Sequence, residues 1–332
     1  MIPTSTPVLS LRMRSSHSGP PPEFAEGCNH GDRVKAMIMQ EQSGYKCEDY
    51  IGRRSCKESS ACDSDQMDID QVEHFNSVDA VCREKMCEWS YRVCDHFHAQ
   101  REVVAHSFSF LDRFVDKCSC DRSAFKLAAM TTLYMAAKIS GSHRITIQSL
   151  AELSRGEFET SHISEMEGII LQTLNWRLNP PTAQCFINSF YNYLPVSQGS
   201  VSLAIYQRAM FFAELSLYDY VFVTKQRSLT AVAAMMNAME GMDETVVPQQ
   251  QQKLFVSIIN TTFGLNFTEE EVESTRNRLW YVYSMSAQYM DDDAVTPDLV
   301  KKETRRKHVQ SGVVSPSSSP VSVTATVPHH RS

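Results

Sequence analysis

Apolar residues recur at the spacing of amphipathic helices in two consecutive blocks of the chain. The first block ends at Pro180 and Pro181, which cannot continue a helix. The second block runs from residue 182 to about residue 290. For the first block we predict helices near residues 80–98, 101–116, 121–139, 146–155 and 160–175. The pattern therefore predicts an all-α protein built from two consecutive helical units.

Each block contains one helix that is apolar on nearly all sides, which is typical of a buried central helix. In the first block this is the third helix, with Asp121 placed to cap its start and Gly141 placed to end it. In the second block residues 228–239 have a similar run of small and medium side chains. Thr268 followed by Glu271 gives a capping box for the last helix.

One further short helix is predicted before the first block, over residues 32–42. Val34, Met37 and Ile38 recur at helical spacing there, and Asp32 is placed to cap the start. The next position on the same face is Glu41, a charge where an apolar residue would be expected.

The chain divides into five segments by composition. Residues 1–30 are rich in Ser, Pro and His, so we expect them to be disordered. Residues 31–77 contain the short helix and a linker of mixed charge that begins near residue 52. We place the first helical domain at 78–179, the second at 180–291 and a disordered tail at 292–332.

Two opposite charges interrupt apolar faces of the first block. Lys138 lies near the end of the third helix, and Glu167 lies on the face of Ile163, Ile170 and Leu174. An uncompensated charge at a buried position would cost on the order of 3–5 kcal/mol. We therefore expect the two residues to be buried and to pair with each other or face a partner. An internal salt bridge that only fixes helix register is the alternative interpretation.

Composition indicates a soluble intracellular protein and disfavours two other classes. The net charge is −7, so no general basic field attracts nucleic acid, and we expect no direct nucleic-acid binding. No run of about 18 apolar residues occurs, and no apolar segment follows the N-terminal arginines. We therefore expect neither secretion nor insertion into a membrane.

The ten cysteines are predicted to be reduced thiols, because this long chain carries no export signal. Cys118 and Cys120, with Cys94, His96 and His98 nearby, lack the paired spacing of a zinc site, so we predict no metal. Cys87 and Cys94 fall on an amphipathic helix, where a buried cysteine behaves as a small hydrophobe. We also find no arrangement that calls for a cofactor.

The first block resembles the cyclin box, the five-helix repeat by which cyclins bind cyclin-dependent kinases. The matches follow one another in order over about a hundred residues. They are Arg83, Met86 and Trp89 on the first helix, Leu111 to Phe114 on the second, Leu127 to Ala129 and Ala136 to Lys138 on the third, and Ile163, Met166, Glu167, Ile170, Leu171, Leu174, Trp176, Leu178, Pro181 and Thr182 on and after the fifth. The second block resembles a diverged copy of the same repeat. The helix at 32–42 is similar to the one that precedes the box in D-type cyclins.

The resemblance implies a regulatory subunit rather than an enzyme. A cyclin binds and activates a cyclin-dependent protein kinase, and its further partners are kinase substrates or inhibitors. By resemblance, Lys138 and Glu167 pair and hydrogen-bond backbone groups beside the kinase's regulatory helix. The apolar socket for that helix is formed by Met135, Ile139, Leu171, Trp176 and Leu178. For Trp176 and Leu178 taken alone, packing in the core is the more economical interpretation.

The sequence departs from the family at the patch where many cyclins dock substrates that carry an Arg-x-Leu motif. The altered substrate-docking patch reads Cys82, Lys85, Met86, Trp89, Arg92 and Lys126. Arg92 and Lys126 would repel a docking arginine, so we do not expect ordinary docking here. The acidic pair that often follows the third-helix lysine is also missing, which bears on the choice of kinase.

We therefore predict a kinase-activating cyclin of the cell-division cycle, with a leaning toward G1. A transcription-associated scaffold with the same fold is the alternative, and a helical enzyme is a distant third. In the tail, Thr296, Ser315 and Ser319 each precede proline, beside a broken basic cluster at 301–307. These features favour phosphorylation and a nuclear localisation signal, hence a location in nucleus and cytoplasm, although a solvated tail explains them equally well.

Overall fold

The computed structural model describes residues 30–53, 78–141, 144–197, 199–242 and 244–286. The predictions for residues 1–29, for most of the linker before residue 78 and for the tail lie outside the described residues. Thr296, Ser315 and Ser319 are among these. The described part of the chain is helical and contains no strand, which confirms the predicted fold class.

The first block consists of five helices after an N-terminal one. The N-terminal helix is α1 (His30–Gln42), and a further helical turn covers residues 50–53. The five helices are α2 (Ala80–His96), α3 (Glu102–Lys117), α4 (Arg122–Ile139), α5 (Ile147–Leu153) and α6 (Thr160–Thr173). Each differs from its predicted range by only a few residues at either end.

The second block repeats the arrangement with five more helices. They are α7 (Ala183–Phe190), α8 (Ser200–Ser216), α9 (Arg227–Glu240), α10 (Gln249–Phe263) and α11 (Glu269–Ser284). Short 3₁₀ turns at Tyr191–Tyr193 and Tyr220–Phe222 join some of them. The predicted capping box of α11 is present, since the Thr268 hydroxyl accepts from the Glu271 backbone N–H and the Glu271 carboxylate accepts from the Thr268 N–H.

The central helices α4 and α9 are buried as predicted. Asp121 caps α4, accepting from the Ala124 N–H at 2.7 Å, and every residue from 228 to 239 on α9 is buried. Thr131 and Thr132 are also buried in α4, where their hydroxyls donate to the carbonyls of Leu127 and Ala129. The alanines of both helices allow the flanking helices to approach closely.

The N-terminal helix ends at Gln42 as predicted but begins two residues before its predicted start. It begins at His30, so Asp32 lies in its first turn and is not its cap, which makes that prediction wrong. Glu41 is only 7% exposed, because α1 packs so that its carboxylate meets the start of α9. There it accepts a hydrogen bond from the Ser228 backbone N–H at 3.0 Å and another from the Ser228 hydroxyl. The anomalous charge of the predicted apolar face is therefore a cap for another helix.

Two buried arginines join the first block to the second. Arg83 on α2 forms a bidentate pair with Asp112 on α3, with both N–O distances 2.8 Å, and donates to the Leu217 carbonyl at the end of α8. Arg101 donates to Glu214 on α8 at 2.9 Å and to Asp95 at 2.8 Å. These contacts tie the blocks together through charge-assisted hydrogen bonds.

Candidate functional site

The two charges singled out in the sequence meet on the surface, where α4 ends beside the middle of α6. The Lys138 ammonium donates to the Glu167 carboxylate. The Lys138 side chain is 50% exposed and that of Glu167 is 16% exposed. The pairing is therefore present, but the prediction that both charges are buried is wrong.

The geometry of α6 explains why Glu167 is not buried. Ile163, Ile170 and Leu174 are at most 1% exposed and define the centre of the buried stripe. At about 100° per residue, Glu167 and Leu171 are rotated by roughly 40–80° from Ile163 towards solvent. The carboxylate thus lies at the flank of the apolar face, where it reaches the end of α4 and also water.

Tyr134 is a member of the site that sequence reasoning did not assign to it. It precedes Lys138 by four residues on α4, and the Lys138 ammonium lies 5.0 Å from the centre of its ring. Residues four apart share a helix face, which is the signal that could have identified it. A cation over an aromatic ring at a partly exposed position contributes about 0.5–1 kcal/mol. Lys138 is therefore held by an anion on one side and a ring on the other.

The apolar residues predicted to form a socket are divided between surface and core. Ile139 is 50% exposed and Trp176 is 69% exposed, whereas Met135 is 1% exposed. Leu171 and Leu178 are partly buried and pack against the core. Met135 therefore belongs to the core, whereas Ile139 and Trp176 are exposed at the surface. The interpretation of Trp176 as a core residue is wrong.

The turn that presents Trp176 has an uncommon backbone conformation. Asn175 and Trp176 have φ angles of 50° and 58°, so two consecutive residues other than glycine lie in the left-handed region. Asparagine adopts this conformation readily, but a bulky tryptophan does so at a cost of about 1–2 kcal/mol. The turn is closed by a hydrogen bond of 3.0 Å from the Trp176 N–H to the Leu171 carbonyl.

Arg113 on α3 holds this turn from the interior. Arg113 is 3% exposed, and its guanidinium donates to the Arg177 carbonyl at 2.9 Å. The guanidinium also lies over the Tyr45 ring, 4.7 Å from its centre. Burial lowers the pKa of Arg113 to about 10, an effect that Tyr45 partly offsets. Sequence reasoning included Arg113 in the recognised pattern but gave it no role.

The altered substrate-docking patch lies on α2 and α4. Cys82, Met86 and Trp89 are partly buried against the core, and Lys85 is exposed. Arg92 pairs with Glu88 one turn earlier, and Lys126 pairs with Glu157. Both cations that were expected to repel a docking arginine thus have a carboxylate partner, so their repulsion is weaker than the sequence suggests.

The described residues give no support for a metal site, a membrane-spanning helix or a reactive thiol. No group of three or more His, Cys, Asp or Glu there could hold a metal ion. None of the described helices is long and apolar enough to cross a membrane. Cys87 and Cys94 are fully buried, and burial raises the pKa of Cys94 to about 12, so neither is an activated thiol.

Comparison with protein families gives two matches that together follow the helical blocks. Residues 54–179 match the N-terminal domain of cyclins and residues 181–286 match the C-terminal domain. The chain belongs to the cyclin family. The resemblance of the first block to the cyclin box is therefore confirmed.

Relatives of this cyclin come from more than one subfamily. A protein described as putative cyclin-F3-1 from Oryza sativa subsp. japonica is 27% identical over 150 residues, covering 45% of this chain and 39% of the relative. G1/S-specific cyclin-D1 from Xenopus laevis is 25% identical over 179 residues, covering 53% of this chain and 61% of the relative. The match thus spans less than two thirds of either relative, and the predicted leaning toward D-type cyclins has only weak support.

Among solved structures, a viral cyclin from herpesvirus saimiri has the same fold as this cyclin. The TM-score is 0.51 at 18% sequence identity, covering 63% of this chain and 89% of that chain. At this identity the likeness concerns the fold alone.

Proposed function

We propose that this cyclin binds a cyclin-dependent protein kinase and activates it as a regulatory subunit, and that it controls progress through the cell cycle. The observation that supports the proposal is the partial exposure of the Lys138–Glu167 pair together with the exposure of two apolar side chains, Ile139 and Trp176, a set of four residues that we call the pair face. A charged pair beside exposed apolar side chains is the composition of a protein-binding surface.

Ile139 and Trp176 supply the affinity in this proposal. Both expose half or more of their surface to water, so a partner that covers them removes apolar area from solvent. Tryptophan is among the residues that most often dominate a protein interface, where its truncation costs on the order of 2 kcal/mol or more. The fixed turn at Asn175 and Trp176 lowers the entropy lost on binding.

Lys138 and Glu167 supply orientation. Paired with each other, they leave donor and acceptor capacity that can meet backbone groups at the ends of a partner helix. The exposed half of Lys138 makes such contact possible without breaking the pair.

Activation follows from preferential binding and needs no catalytic group in this chain. A protein kinase works only when its nucleotide-binding lysine pairs with a glutamate on the regulatory helix. A subunit that binds this helix in its active position shifts the kinase population toward the active state.

The proposal is tested by co-expressing the chain with a panel of cyclin-dependent kinases from the same organism. Complexes are purified and assayed for phosphorylation of Ser-Pro peptides. We expect the wild type to bind and activate at least one kinase, and the variant with Lys138→Ala and Glu167→Ala to lose both properties. Its helical content, measured by circular dichroism, should not change.

The matched control removes a different exposed ion pair from the second block. Lys253 and Glu269 lie 3.9 Å apart and are both exposed, and their joint replacement by alanine also leaves the net charge unchanged. This control should retain full binding. If the wild type binds no kinase, the proposal is refuted and the transcription-associated scaffold takes its place.

A further inference from the structure

We propose that Arg113 is a positioning residue for Trp176, holding the turn at residues 175–177 so that the indole is presented to a partner. The inference rests on the proposed function for the identity of that partner, a kinase. Its structural part, that Arg113 fixes Trp176, rests on the geometry of the turn alone.

The first observation is the conformation of the turn. Asn175 and Trp176 both have left-handed backbone angles, and no glycine relieves the strain at Trp176. Such a conformation persists only where surrounding contacts determine it. The Trp176 side chain is 69% exposed, so its own packing supplies little of that determination.

The second observation is a hydrogen bond directly after the strained residue. Arg113 donates from Nη2 to the Arg177 carbonyl at 2.9 Å. This carbonyl belongs to the peptide unit that follows Arg177, so its orientation depends on the backbone angles at the end of the turn. A charged donor makes a stronger hydrogen bond than a neutral one.

The third observation is that Arg113 has no ionic partner to explain its burial. In the part of the chain that the structure describes, no carboxylate pairs with it, and its Nη1 atom is buried without a hydrogen-bond partner. The other buried arginines, Arg83 and Arg101, each pair with at least one carboxylate. A buried charge without a counterion is costly, so a purely architectural purpose would be better served by an apolar side chain.

The fourth observation is that Tyr45 makes a second contact with the segment that follows Trp176. The Tyr45 ring lies against the Arg113 guanidinium, and its hydroxyl oxygen accepts from the Asn179 N–H at 3.4 Å. Arg113 and Tyr45 thus hold the chain at positions 177 and 179, directly after the exposed indole. The segment that follows α1 therefore takes part in shaping the pair face without lying on it.

The first test measures the mobility of Trp176 in the full chain without any partner. Trp89→Phe and Trp280→Phe leave Trp176 as the sole tryptophan. In this background Arg113→Met should increase the amplitude of fast motion in the time-resolved fluorescence anisotropy of Trp176. Arg113→Lys keeps a charged donor and should restore part of the order. Unchanged anisotropy in Arg113→Met would overturn the inference.

Loss of stability alone must be separated from loss of positioning. Ile259 is fully buried on α10 in the second block, so Ile259→Ala destabilises the fold at a distance from the turn. Under conditions where all variants are folded, this control should leave the anisotropy of Trp176 as in the parent. If it increases the motion as much as Arg113→Met does, the effect is a general loosening and the inference fails.

The second test is a double-mutant cycle on kinase affinity. Arg113→Met should weaken binding roughly tenfold in the wild type but by less than about twofold in the Trp176→Ala background, because the two residues act through one contact. Equal losses in both backgrounds would show that Arg113 does not act through Trp176. If the wild type binds no kinase, the proposed function fails, while the anisotropy still decides whether Arg113 positions Trp176.

Discussion

Replacing Arg83 by methionine is expected to destabilise the fold by about 3–5 kcal/mol, because it strands a buried carboxylate. Arg83 and Asp112 are 2% and 1% exposed. Burial alone would lower the pKa of Arg83, but the Asp112 carboxylate outweighs this effect and raises it above the ordinary value. The guanidinium is thus charged in the folded protein.

The magnitude follows from the bonds that are lost. Asp112 would lose both bonds of 2.8 Å to Arg83 and keep the bond of 3.0 Å from the Tyr50 hydroxyl. The Leu217 carbonyl would lose a donor at 2.6 Å. Hydrogen bonds to charged groups contribute about 1.5–3 kcal/mol each, and packing of the methionine against Phe108 offsets part of the loss.

The assay is urea unfolding followed by circular dichroism, comparing Arg83→Met with the variant that also carries Asp112→Leu. Removing both charges leaves no stranded carboxylate, so the double variant should be more stable than the single variant by about 2 kcal/mol. A loss below about 1 kcal/mol in Arg83→Met, or a double variant less stable than the single one, would refute the reasoning.

Two further predictions concern Tyr134 and Glu41. Tyr134→Leu should weaken kinase binding about two- to fivefold, as expected for a lost cation–π contact with Lys138, whereas Tyr134→Phe should bind as the wild type does. An equal loss in both variants, measured by titration, would assign the effect to the hydroxyl. Burial raises the pKa of Glu41 above its ordinary value, against the hydrogen bonds from Ser228 that lower it. The folded state therefore holds this proton more tightly than the unfolded chain, and stability falls as the pH rises from the unfolded pKa through the folded one. Glu41→Gln should flatten this decline in melting temperature as the pH rises above the ordinary glutamate pKa of 4.5, and an unchanged slope would contradict it.

The helices could be predicted because each is encoded by its own residues. The spacing of apolar positions gave all five helices of the first block, and Asp121 and Thr268 cap the helices that they were expected to cap. The same reasoning placed Asp32 at a helix end, although the helix begins two residues earlier. Local patterns locate a helix well but fix its ends less well.

The site was predicted less completely because its properties depend on neighbours that are distant in the chain. In the sequence, Glu41 is an unexplained charge on an apolar face, because its hydrogen-bond partner Ser228 lies 187 positions later. Lys138 and Glu167 were expected to be buried. The sequence of one helix does not show where the neighbouring helix ends, so it could not show that both side chains reach water. The role of Arg113 depends on a carbonyl 64 positions away, which no periodicity reveals.

The contacts of residues 30–53 determine where this protein can be truncated without loss of the fold. The family match begins at residue 54, yet α1 covers the start of α9, and Tyr50 and Ile51 bond to Asp112 and Tyr220 in different blocks. A fragment trimmed to the match would leave the first amides of α9 and the Asp112 carboxylate each short of a partner. The smallest piece expected to unfold in one cooperative step therefore includes residues 30–53, which precede the boundary that sequence similarity alone would draw.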